Sequence, residues 1–351
     1  MFVVSLRRSY TGFRRIVIVT RRAAVWLLVP VLSFGLAACD RRQAADPAGD
    51  RVANPTTGPA ARAGTHERSL TVGGRQRTFR VHVPASAPRE RAPAVLVLHG
   101  GGGNPAQTAR SSGWNAIADR ESLLVVYPEG LDGHWNDGRG VDLTPRGGTA
   151  GVDDAGFISA LLDTLVASGA ADARRLYVTG ASNGGMMTFR LALEIGDRLA
   201  AAAPIIANLP AKLARATPVA PVPLLVINGT RDPLVPWNGG EVRGPLGARG
   251  RGLVLSTSET MAFWARAHGA SVTPRVEPLP DESADDGCRP ERWTYGRGDV
   301  VLVALHGGGH HPPGRQGNAL RMLGVKCRDV ESSEEIWRFF ATRSLGARQA
   351  R

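Results

Sequence analysis

The chain has 351 residues and a formal net charge of +12 at pH 7, with 43 basic residues against 31 acidic ones. The basic residues are scattered arginines without interleaved aromatic residues, and this pattern argues against a nucleic-acid-binding protein. No internal repeat divides the chain, and its length is sufficient for one large domain with a full hydrophobic core.

The first 38 residues have the parts of a signal peptide. They contain six arginines and no acidic residue, and a short apolar run follows at residues 23–32. The run is too short and too interrupted by proline and glycine for a membrane-spanning helix. It leads into Leu36-Ala37-Ala38-Cys39, which resembles the bacterial lipobox, so we predict cleavage after residue 38 and lipidation of Cys39. An ordinary signal peptide is the alternative, and Arg21-Arg22 leaves twin-arginine export open.

These features predict an exported protein. If Cys39 is lipidated, the protein is periplasmic or displayed at the cell surface, and the lipid is its only contact with the membrane. Without lipidation it is extracellular. Residues 39–67 are rich in Ala, Arg, Asp, Pro and Gly without apolar periodicity, and they predict a flexible tether. Residues 68–345 are then predicted to form a single folded domain.

Two further cysteines, Cys288 and Cys327, bracket the segment that contains His310. In an oxidising compartment we expect them to form a disulfide. Such a bridge would stabilise the fold by about 3–4 kcal/mol in the chain-entropy model. Two unpaired thiols are the alternative.

Apolar runs and one-sided apolar segments alternate from residue 70 onward. Continuous apolar runs predict strands buried on both faces, whereas segments with apolar residues on one side predict helices. The predicted strands are two short ones within 70–83 around a Gly-Gly turn, and 94–98, 123–128, 175–179, 224–227 and 300–305. The predicted helices are 114–121, one that begins near 153, 184–195, 259–267 and one around 336–340. This alternation predicts an α/β fold with a mostly parallel central sheet and helices on both faces.

Four of the predicted strands run directly into glycine-rich or polar segments. These segments contain His99, Ser182, Asp232 and His310. Because the carboxyl ends of parallel strands meet at one edge of a sheet, where ligands bind, we expect the four residues to lie near each other.

Ser182 lies in the motif Gly180-Ala181-Ser182-Asn183-Gly184. A serine with a glycine two residues away on each side suits a sharp strand-to-helix turn that projects the hydroxyl from the sheet. In a chain with 43 glycines the motif could also be an ordinary glycine-rich loop. Its position after a buried strand, at the same edge as an acid and a histidine, favours a nucleophile.

A serine nucleophile needs a base, and the base needs an acid that holds its tautomer. The chain order Ser182, Asp232, His310 is that of an α/β-hydrolase and predicts these residues as nucleophile, acid and base. His311 is the rival base. Three glycines precede His310 and allow the loop to bend its side chain toward the serine, so we favour His310.

The negative oxygen of a tetrahedral intermediate needs hydrogen-bond donors. We expect them to be the backbone N–H of Asn183, at the start of the helix after Ser182, and that of Gly101 in the glycine run. No cofactor is predicted, and no metal, because His310-His311 lacks partner ligands at a recognisable spacing. Trp135 and Trp237 lie in loops at the same edge, where they either line a substrate pocket or anchor the loops over the core.

Seven motifs occur together over roughly residues 68–342. They are Leu98-His99-Gly100-Gly101, Ser112-Gly113-Trp114-Asn115, Val126-Tyr127-Pro128, Val152-Asp153-Asp154-Ala155-Gly156-Phe157, Gly180-Ala181-Ser182-Asn183-Gly184-Gly185-Met186, Asn228-Gly229-Thr230-Arg231-Asp232-Pro233 and Gly308-Gly309-His310. As a set they resemble the secreted polyhydroxybutyrate depolymerase and feruloyl esterase family of α/β-hydrolases. The resemblance implies carboxylic ester hydrolysis through an acyl-enzyme, with Ser182, Asp232 and His310 as the catalytic residues.

The resemblance leaves the substrate open. It implies a small-molecule or oligomeric ester, either a hydroxyalkanoate oligomer or a feruloyl or acetyl ester of plant polysaccharide. The family commonly has Trp-Pro-Gly after the catalytic histidine, where this chain has His311-Pro312-Pro313-Gly314, so the wall of the substrate pocket should differ. A peptidase or a dienelactone-hydrolase-like enzyme is an alternative on the same fold. A lipid-anchored binding protein without activity is a further alternative, against which the intact Ser/Asp/His set argues.

Overall fold

The computed structural model describes residues 62–86, 91–144, 148–149, 151–244, 247–317 and 319–346. The predicted signal peptide, Cys39 and most of the predicted tether lie outside these residues. Among the described helices, none has the length and apolar character needed to cross a membrane.

The described chain contains twelve strands and six α-helices. The strands are β1 (Gly64–Val72), β2 (Arg75–Val83), β3 (Ala92–Leu98), β4 (Leu124–Pro128), β5 (Ala171–Ala181), β6 (Ala201–Ile205), β7 (Leu224–Gly229), β8 (Gly240–Glu241), β9 (Leu253–Val254), β10 (Arg275–Pro278), β11 (Arg289–Tyr295) and β12 (Val300–His306). The helices are α1 (Pro105–Ser111), α2 (Trp114–Glu121), α3 (Asp154–Ala167), α4 (Asn183–Glu194), α5 (Thr257–Ala267) and α6 (Ser332–Ala341).

Ten of these strands form one sheet in the order β1-β2-β4-β3-β5-β6-β7-β12-β11-β10, while β8 and β9 pair separately. The six central strands, from β4 to β12, are mutually parallel. Antiparallel strands extend the sheet at both edges, β1 and β2 at one and β10 and β11 at the other. The predicted α/β architecture with a mostly parallel sheet is therefore confirmed.

The central strands are apolar throughout because both faces of the sheet are covered. In β3, Leu96 belongs to a core that also contains Trp264 of α5, together with side chains of α3 and α4. The neighbouring Val95 points the other way, into a second core with Trp114 of α2 and Phe340 of α6. Side chains alternate along a strand, so a continuous apolar run is what two covered faces require.

The first strand begins earlier than the sequence predicted. β1 starts at Gly64 and pairs with β2 along its whole length, so residues 64–67 belong to the sheet and not to the tether. The first part of the strand has polar side chains, with Thr65 paired opposite His82 and Glu67 opposite Arg80. A strand with one exposed face can be polar at alternate positions, which is the reason that apolar periodicity missed it.

Sequence patterns also missed α1, β6 and the β10–β11 pair. β6 is largely alanine, which has a low strand propensity, and its burial between β5 and β7 provides the stability that propensity does not. For α1 a local signal was present, since Asn104 caps the helix by accepting from the Gln107 N–H and Pro105 occupies its first turn.

The predicted disulfide is present. Cys288 precedes β11 and is joined to Cys327, 39 residues later in the chain. The bridge links the edge of the sheet to the segment that follows β12, and that segment contains His310.

Candidate active site

Ser182 occupies a strained turn between β5 and α4. Its backbone has φ 55° and ψ −118°, a conformation that a residue with a side chain rarely adopts. Hydrogen bonds hold the turn: the Ser182 N–H donates to the Ile205 carbonyl at 2.9 Å, and its own carbonyl accepts from the Met186 N–H at 2.8 Å. The surrounding structure thus imposes a conformation that projects the hydroxyl beyond the sheet.

The two glycines of the motif are required by close packing. A Cβ at Gly180 would lie 2.6 Å from the Gly184 carbonyl oxygen and 2.8 Å from the Leu98 Cβ. A Cβ at Gly184 would lie 2.6 Å from the Leu98 carbonyl oxygen. The turn is therefore pressed onto the end of β3, where only glycine fits.

The His310 ring lies between Ser182 and Asp232. Its Nδ1 is 2.7 Å from Asp232 Oδ2, and its Nε2 is 3.0 Å from Ser182 Oγ. A carboxylate can only accept, so Nδ1 must carry the proton that it donates to Asp232. In the neutral ring Nε2 is then an acceptor, and the Ser182 hydroxyl donates to it.

The Asp232 carboxylate is fixed on its other side as well. Asp232 Oδ1 accepts from the backbone N–H groups of Leu234 and Val235, both at 2.8 Å. The side chains of Asp232 and His310 are 2% and 7% exposed. Both oxygens of the carboxylate are therefore occupied, and the pair is held away from bulk water.

The backbone of His310 is anchored to the segment closed by the disulfide. The His310 N–H donates to the Leu323 carbonyl at 2.6 Å, and the Gly309 N–H donates to the Val325 carbonyl at 2.8 Å. Two residues further on, Cys327 bonds to Cys288. The position of the imidazole thus depends on a segment that follows it in the chain.

His311, the rival base, lies differently. It is buried, and its Nε2 donates to the Leu320 carbonyl at 3.2 Å. Burial disfavours the charged ring and lowers the pKa of His311 below its usual value. Of the two adjacent histidines, the structure brings His310 to Ser182.

The glycine run after β3 lies alongside the serine turn. A Cβ added to Gly100 would lie 3.8 Å from the Ser182 Cβ, and one added to Gly101 would lie 3.6 Å from the Asn183 Cβ. The structure therefore brings together the two backbones from which donors for an oxyanion were predicted, those of Asn183 and Gly101.

The His99 ring holds this glycine run in place by hydrogen bonds. Its Nε2 accepts from the Gly130 N–H at 2.9 Å, which places the ring proton on Nδ1, and Nδ1 donates to the Gly100 carbonyl at 2.8 Å. Burial lowers the pKa of His99, because the charged ring is costly in this environment. His99 is thus a neutral ring with a defined tautomer and a structural role.

Of the two tryptophans, Trp135 anchors a loop and does not line the pocket. Its side chain is fully buried, its indole N–H donates to the His99 carbonyl at 3.0 Å, and its ring lies against the His99 ring. An indole with no exposed surface has nothing to offer a substrate. Trp237 is half-buried and packs edge-on against Trp293, and its substrate contact stays a prediction.

Sequence reasoning missed a buried ion pair beside Asn183. Asp137 and Arg139 are 2.6 Å apart, and each side chain is 3% exposed. The Asn183 side-chain amide donates to Asp137 Oδ2 at 2.6 Å. No motif marks this pair, because an Asp-x-Arg in a glycine-rich loop reads as ordinary surface charge.

A cavity of about 610 Å³ opens beside the serine turn. Its wall reaches Gly100 and Ala181, which adjoin Ser182, and extends to Lys326. The segment His311-Pro312-Pro313-Gly314, in which this chain departs from the family pattern, forms part of the wall. Its lining is mixed, with apolar residues such as Val97 and Ile205 and charged ones such as Lys326 and Glu331.

Among the described residues, one group of potential metal ligands lies at the disulfide. Asp286, Cys327 and Asp329 come within 4.8 Å of one another. The Cys327 sulfur is committed to the disulfide, and it cannot act as a thiolate ligand. Both Asp286 oxygens accept from backbone N–H groups, of Cys288 and Arg328.

Comparison with known proteins gives consistent results. The sequence model of the family described as Esterase PHB depolymerase matches residues 77–206, a stretch that contains Ser182 but ends before Asp232. The chain is 36% identical over 267 residues to the putative esterase NocK of Nocardia uniformis subsp. tsuyamanensis, which covers 73% of this chain and 76% of that protein.

Two other relatives are matched over less of their length. Poly(3-hydroxyalkanoate) depolymerase C of Paucimonas lemoignei is 36% identical over 35% of this chain and 30% of its own length. Feruloyl esterase B of Piromyces equi is 24% identical over 62% of this chain and 39% of its own length. Among solved structures, an acetyl xylan esterase from Aspergillus awamori shares the fold, with a TM-score of 0.51 at 14% identity over 76% of this chain and 94% of that one.

Proposed function

The chain belongs to the esterase PHB depolymerase family, and from that premise we propose that it is an exported serine esterase that hydrolyses carboxylic esters through an acyl-enzyme. The observation that carries the proposal is the His310 ring, with one nitrogen 3.0 Å from Ser182 Oγ and the other 2.7 Å from Asp232. That arrangement is the one a serine needs to act as a nucleophile near neutral pH.

In the first half of the reaction, Ser182 Oγ attacks the ester carbonyl carbon while its proton passes to His310 Nε2. The imidazolium is stabilised by Asp232. The carbonyl oxygen becomes negative and takes hydrogen bonds from the backbone N–H groups of Asn183 and Gly101. Collapse of this intermediate breaks the bond to the alcohol oxygen, which leaves with the proton from His310, and the acyl group stays on Ser182.

In the second half, water replaces the alcohol. His310 takes a proton from the water as the water oxygen attacks the acyl carbon, and the same two backbone donors hold the new oxyanion. The bond to Ser182 Oγ then breaks, and the proton on His310 returns to the serine. The carboxylic acid product leaves, and the enzyme is restored without a cofactor.

The substrate is proposed to be a hydroxyalkanoate oligomer or a feruloyl or acetyl ester. The cavity adjoins the serine turn at Gly100 and Ala181, and its volume of about 610 Å³ would accommodate a bulky acyl or alcohol group, although Ser182, Asp232 and His310 are not among its lining residues. Trp237 is retained as a candidate contact outside the cavity. The names of the relatives span both substrate types and therefore do not choose between them.

Export is supported by the N-terminal sequence and by the disulfide. A bridge between Cys288 and Cys327 is expected in an oxidising compartment. Lipidation of Cys39 would hold the enzyme at a membrane through the lipid alone. Mass spectrometry of the mature protein tests this proposal: a diacylglyceryl group on an N-terminal Cys39 supports it, and an unmodified N-terminus beyond residue 39 contradicts it.

The catalytic proposal is tested with a panel of chromogenic esters, containing short acyl, hydroxybutyrate oligomer and feruloyl substrates, and a matched set of amides. We expect ester turnover that disappears in Ser182→Ala, while the exposed Ser86→Ala variant keeps the wild-type rate. A serine-directed phosphonate should add one label, on Ser182. Turnover retained by Ser182→Ala would refute the nucleophile, and faster amide than ester turnover would refute the reaction class.

A further inference from the structure

Residues 130–137 bond to both segments that are proposed to bind the oxyanion, the glycine run after β3 and the side chain of Asn183. On the glycine side, the Gly102 N–H donates to the Gly133 carbonyl at 2.8 Å. On the serine side, the Trp135 N–H donates to Asn183 Oδ1 at 2.9 Å, and Asn183 Nδ2 donates back to the Trp135 carbonyl at 3.0 Å. A single segment thus joins the two sides of the proposed oxyanion site.

The Asn183 side chain is the link on the serine side, and the ion pair lies behind it. Asn183 Nδ2 also donates to Asp137 Oδ2 at 2.6 Å. Arg139 donates to both oxygens of Asp137, at 2.6 to 3.1 Å, and its Nη1 donates to the Arg251 carbonyl at 2.6 Å. The amide of Asn183 is therefore saturated by partners that are themselves immobilised.

A buried ion pair of this kind is weak evidence for stability. Removing two charges from water costs several kcal/mol, and well-packed apolar residues in the same place are often as stable. What the pair provides is a defined geometry, because a carboxylate held by a guanidinium accepts in a fixed direction. The group that depends on this direction is the Asn183 side chain, and its backbone N–H is the proposed oxyanion donor.

We propose that Asp137 and Arg139 are positioning residues of the oxyanion site. They hold the Asn183 side chain, and with it the Asn183 N–H, at a set distance from the glycine run. They do not touch the substrate. The inference rests on the proposed function, since it assumes that an oxyanion forms beside Ser182.

The test replaces the pair by apolar residues of similar volume, in Asp137→Leu/Arg139→Met. We expect the melting temperature to fall by several degrees at most, because the apolar replacement removes the desolvation cost of the pair but leaves the Arg251 carbonyl without its donor. Its kcat toward an ester should fall at least fivefold, and on the order of 10–100-fold, because small displacements of a catalytic group are costly. KM should change less than threefold. A smaller fall in kcat would overturn the proposal.

A double-mutant cycle shows whether the pair acts through Asn183. Asn183→Ala leaves the ion pair and the backbone N–H in place and removes the link, and it should lower kcat by a similar factor. In that background, replacing Asp137 and Arg139 should change kcat less than twofold. Equal losses in both backgrounds would mean that the pair acts on the loop in general, and would refute its positioning role. If the pair replacement does not fold, Asn183→Ala alone decides: wild-type kcat refutes the proposal.

Asp154→Asn is the matched control. Asp154 also forms a buried pair, with Arg77 at 2.7 Å, and it holds the same loop by accepting from the Asn136 N–H at 2.7 Å. Asp154 bonds to Asn136, which is not a partner of Asn183. The effect of Asp154→Asn on kcat should therefore add to that of Asn183→Ala. If Asp154→Asn and Asn183→Ala were coupled as strongly as the Asp137/Arg139 replacement and Asn183→Ala, the positioning role would not be specific to Asp137 and Arg139, and the proposal would be contradicted.

The outcomes also separate this inference from the proposed function. If Ser182→Ala keeps ester turnover, the proposed function fails whatever the Asp137 variants do. If Ser182 is required and the pair replacement keeps the wild-type kcat, the positioning role alone fails.

Discussion

The proposed nucleophile and the proposed base are held in place by different means. Ser182 follows β5, between β3 and β6 in the middle of the sheet. Its backbone bonds to the end of β6 at Ile205, and its glycine neighbour Gly184 is pressed against the Leu98 carbonyl at the end of β3. The backbone contacts of this turn come from its own motif and from the ends of the adjacent strands β3 and β6, and the Asn183 side chain adds bonds to a distant loop.

The base depends on distant parts of the chain. His310 follows β12, and its N–H bonds to the Leu323 carbonyl. The segment beyond Leu323 is tied by the disulfide of Cys327 to Cys288, near the edge of the sheet. The strained serine turn therefore lies at the centre of the sheet, whereas the histidine relies on a covalent link near the edge of the sheet. Changes on the two sides should affect activity and stability in different proportions.

The largest effect is expected on the base side, from Asp232→Asn. The two backbone N–H groups of Leu234 and Val235 require an acceptor, so the oxygen of the new amide should face them and its NH₂ should face His310. The ring would then carry its proton on Nε2 and could not accept from Ser182. We expect kcat to fall about 10⁴-fold with little change in fold. Steady-state kinetics and circular dichroism check this.

Asp163→Asn is the control, since Asp163 is largely exposed and pairs with Arg198 away from the site. It should keep the wild-type rate. A loss of less than tenfold in Asp232→Asn would mean that the tautomer of His310 does not depend on Asp232.

Removing the disulfide comes next in size. In Cys288→Ser/Cys327→Ser the free energy of unfolding should fall by about 4 kcal/mol, as the chain-entropy model gives for a loop of this length. Urea unfolding measures it. Because His310 is bonded to the segment closed by the bridge, kcat should fall at denaturant concentrations where the far-ultraviolet spectrum is still native.

Reduction of the wild-type protein should reproduce this result. Activity that is lost only together with the global fold would contradict a local dependence of His310 on the bridge.

A substitution on the serine side should lower the free energy of unfolding by less than loss of the disulfide does. Its effect on activity should not be separable from its effect on the fold. A Cβ in Gly184→Ala would lie 2.5 Å from the His99 carbonyl oxygen and 2.6 Å from that of Leu98. Backbone atoms cannot rotate aside, so we expect a loss of about 2–3 kcal/mol in the free energy of unfolding. Activity should decline with it. Gly151→Ala is the control, because a Cβ there meets nothing within 4 Å.

The smallest effect concerns pH and the buried His99. Its pKa in the folded protein lies below the ordinary value of 6.5 because burial disfavours the charged ring. Below about pH 6.5 the unfolded chain therefore binds a proton that the folded chain does not, and stability is lost as pH falls. The stability advantage of the wild type over His99→Asn should therefore shrink between pH 7.5 and pH 5.5, as measured by urea unfolding at both pH values. A difference independent of pH would show that His99 titrates alike in both states.

Much of the fold could be predicted because its signals are local. The buried strands β3, β4, β7 and β12 are continuous apolar runs, and the glycines around Ser182 mark a turn that only glycine can make. Structure whose stability comes from neighbouring strands was missed, namely the polar first part of β1, residues 64–69, and the alanine-rich strand β6. Their side chains carry no apolar pattern that would indicate which face of the sheet buries them.

The same distinction between local signals and tertiary contacts applies to the candidate site. The identity of each candidate site residue, and its position directly after a strand, could be predicted from the residues next to it in the chain. Which side chains meet is decided by tertiary packing over long separations: Ser182 and His310 are 128 residues apart, and Asn183 is 46 from Asp137. For the same reason, packing alone made Trp135 a buried anchor and placed Asp137 and Arg139 behind Asn183. A local pattern records what a residue can do, and only the folded chain records which partner it faces.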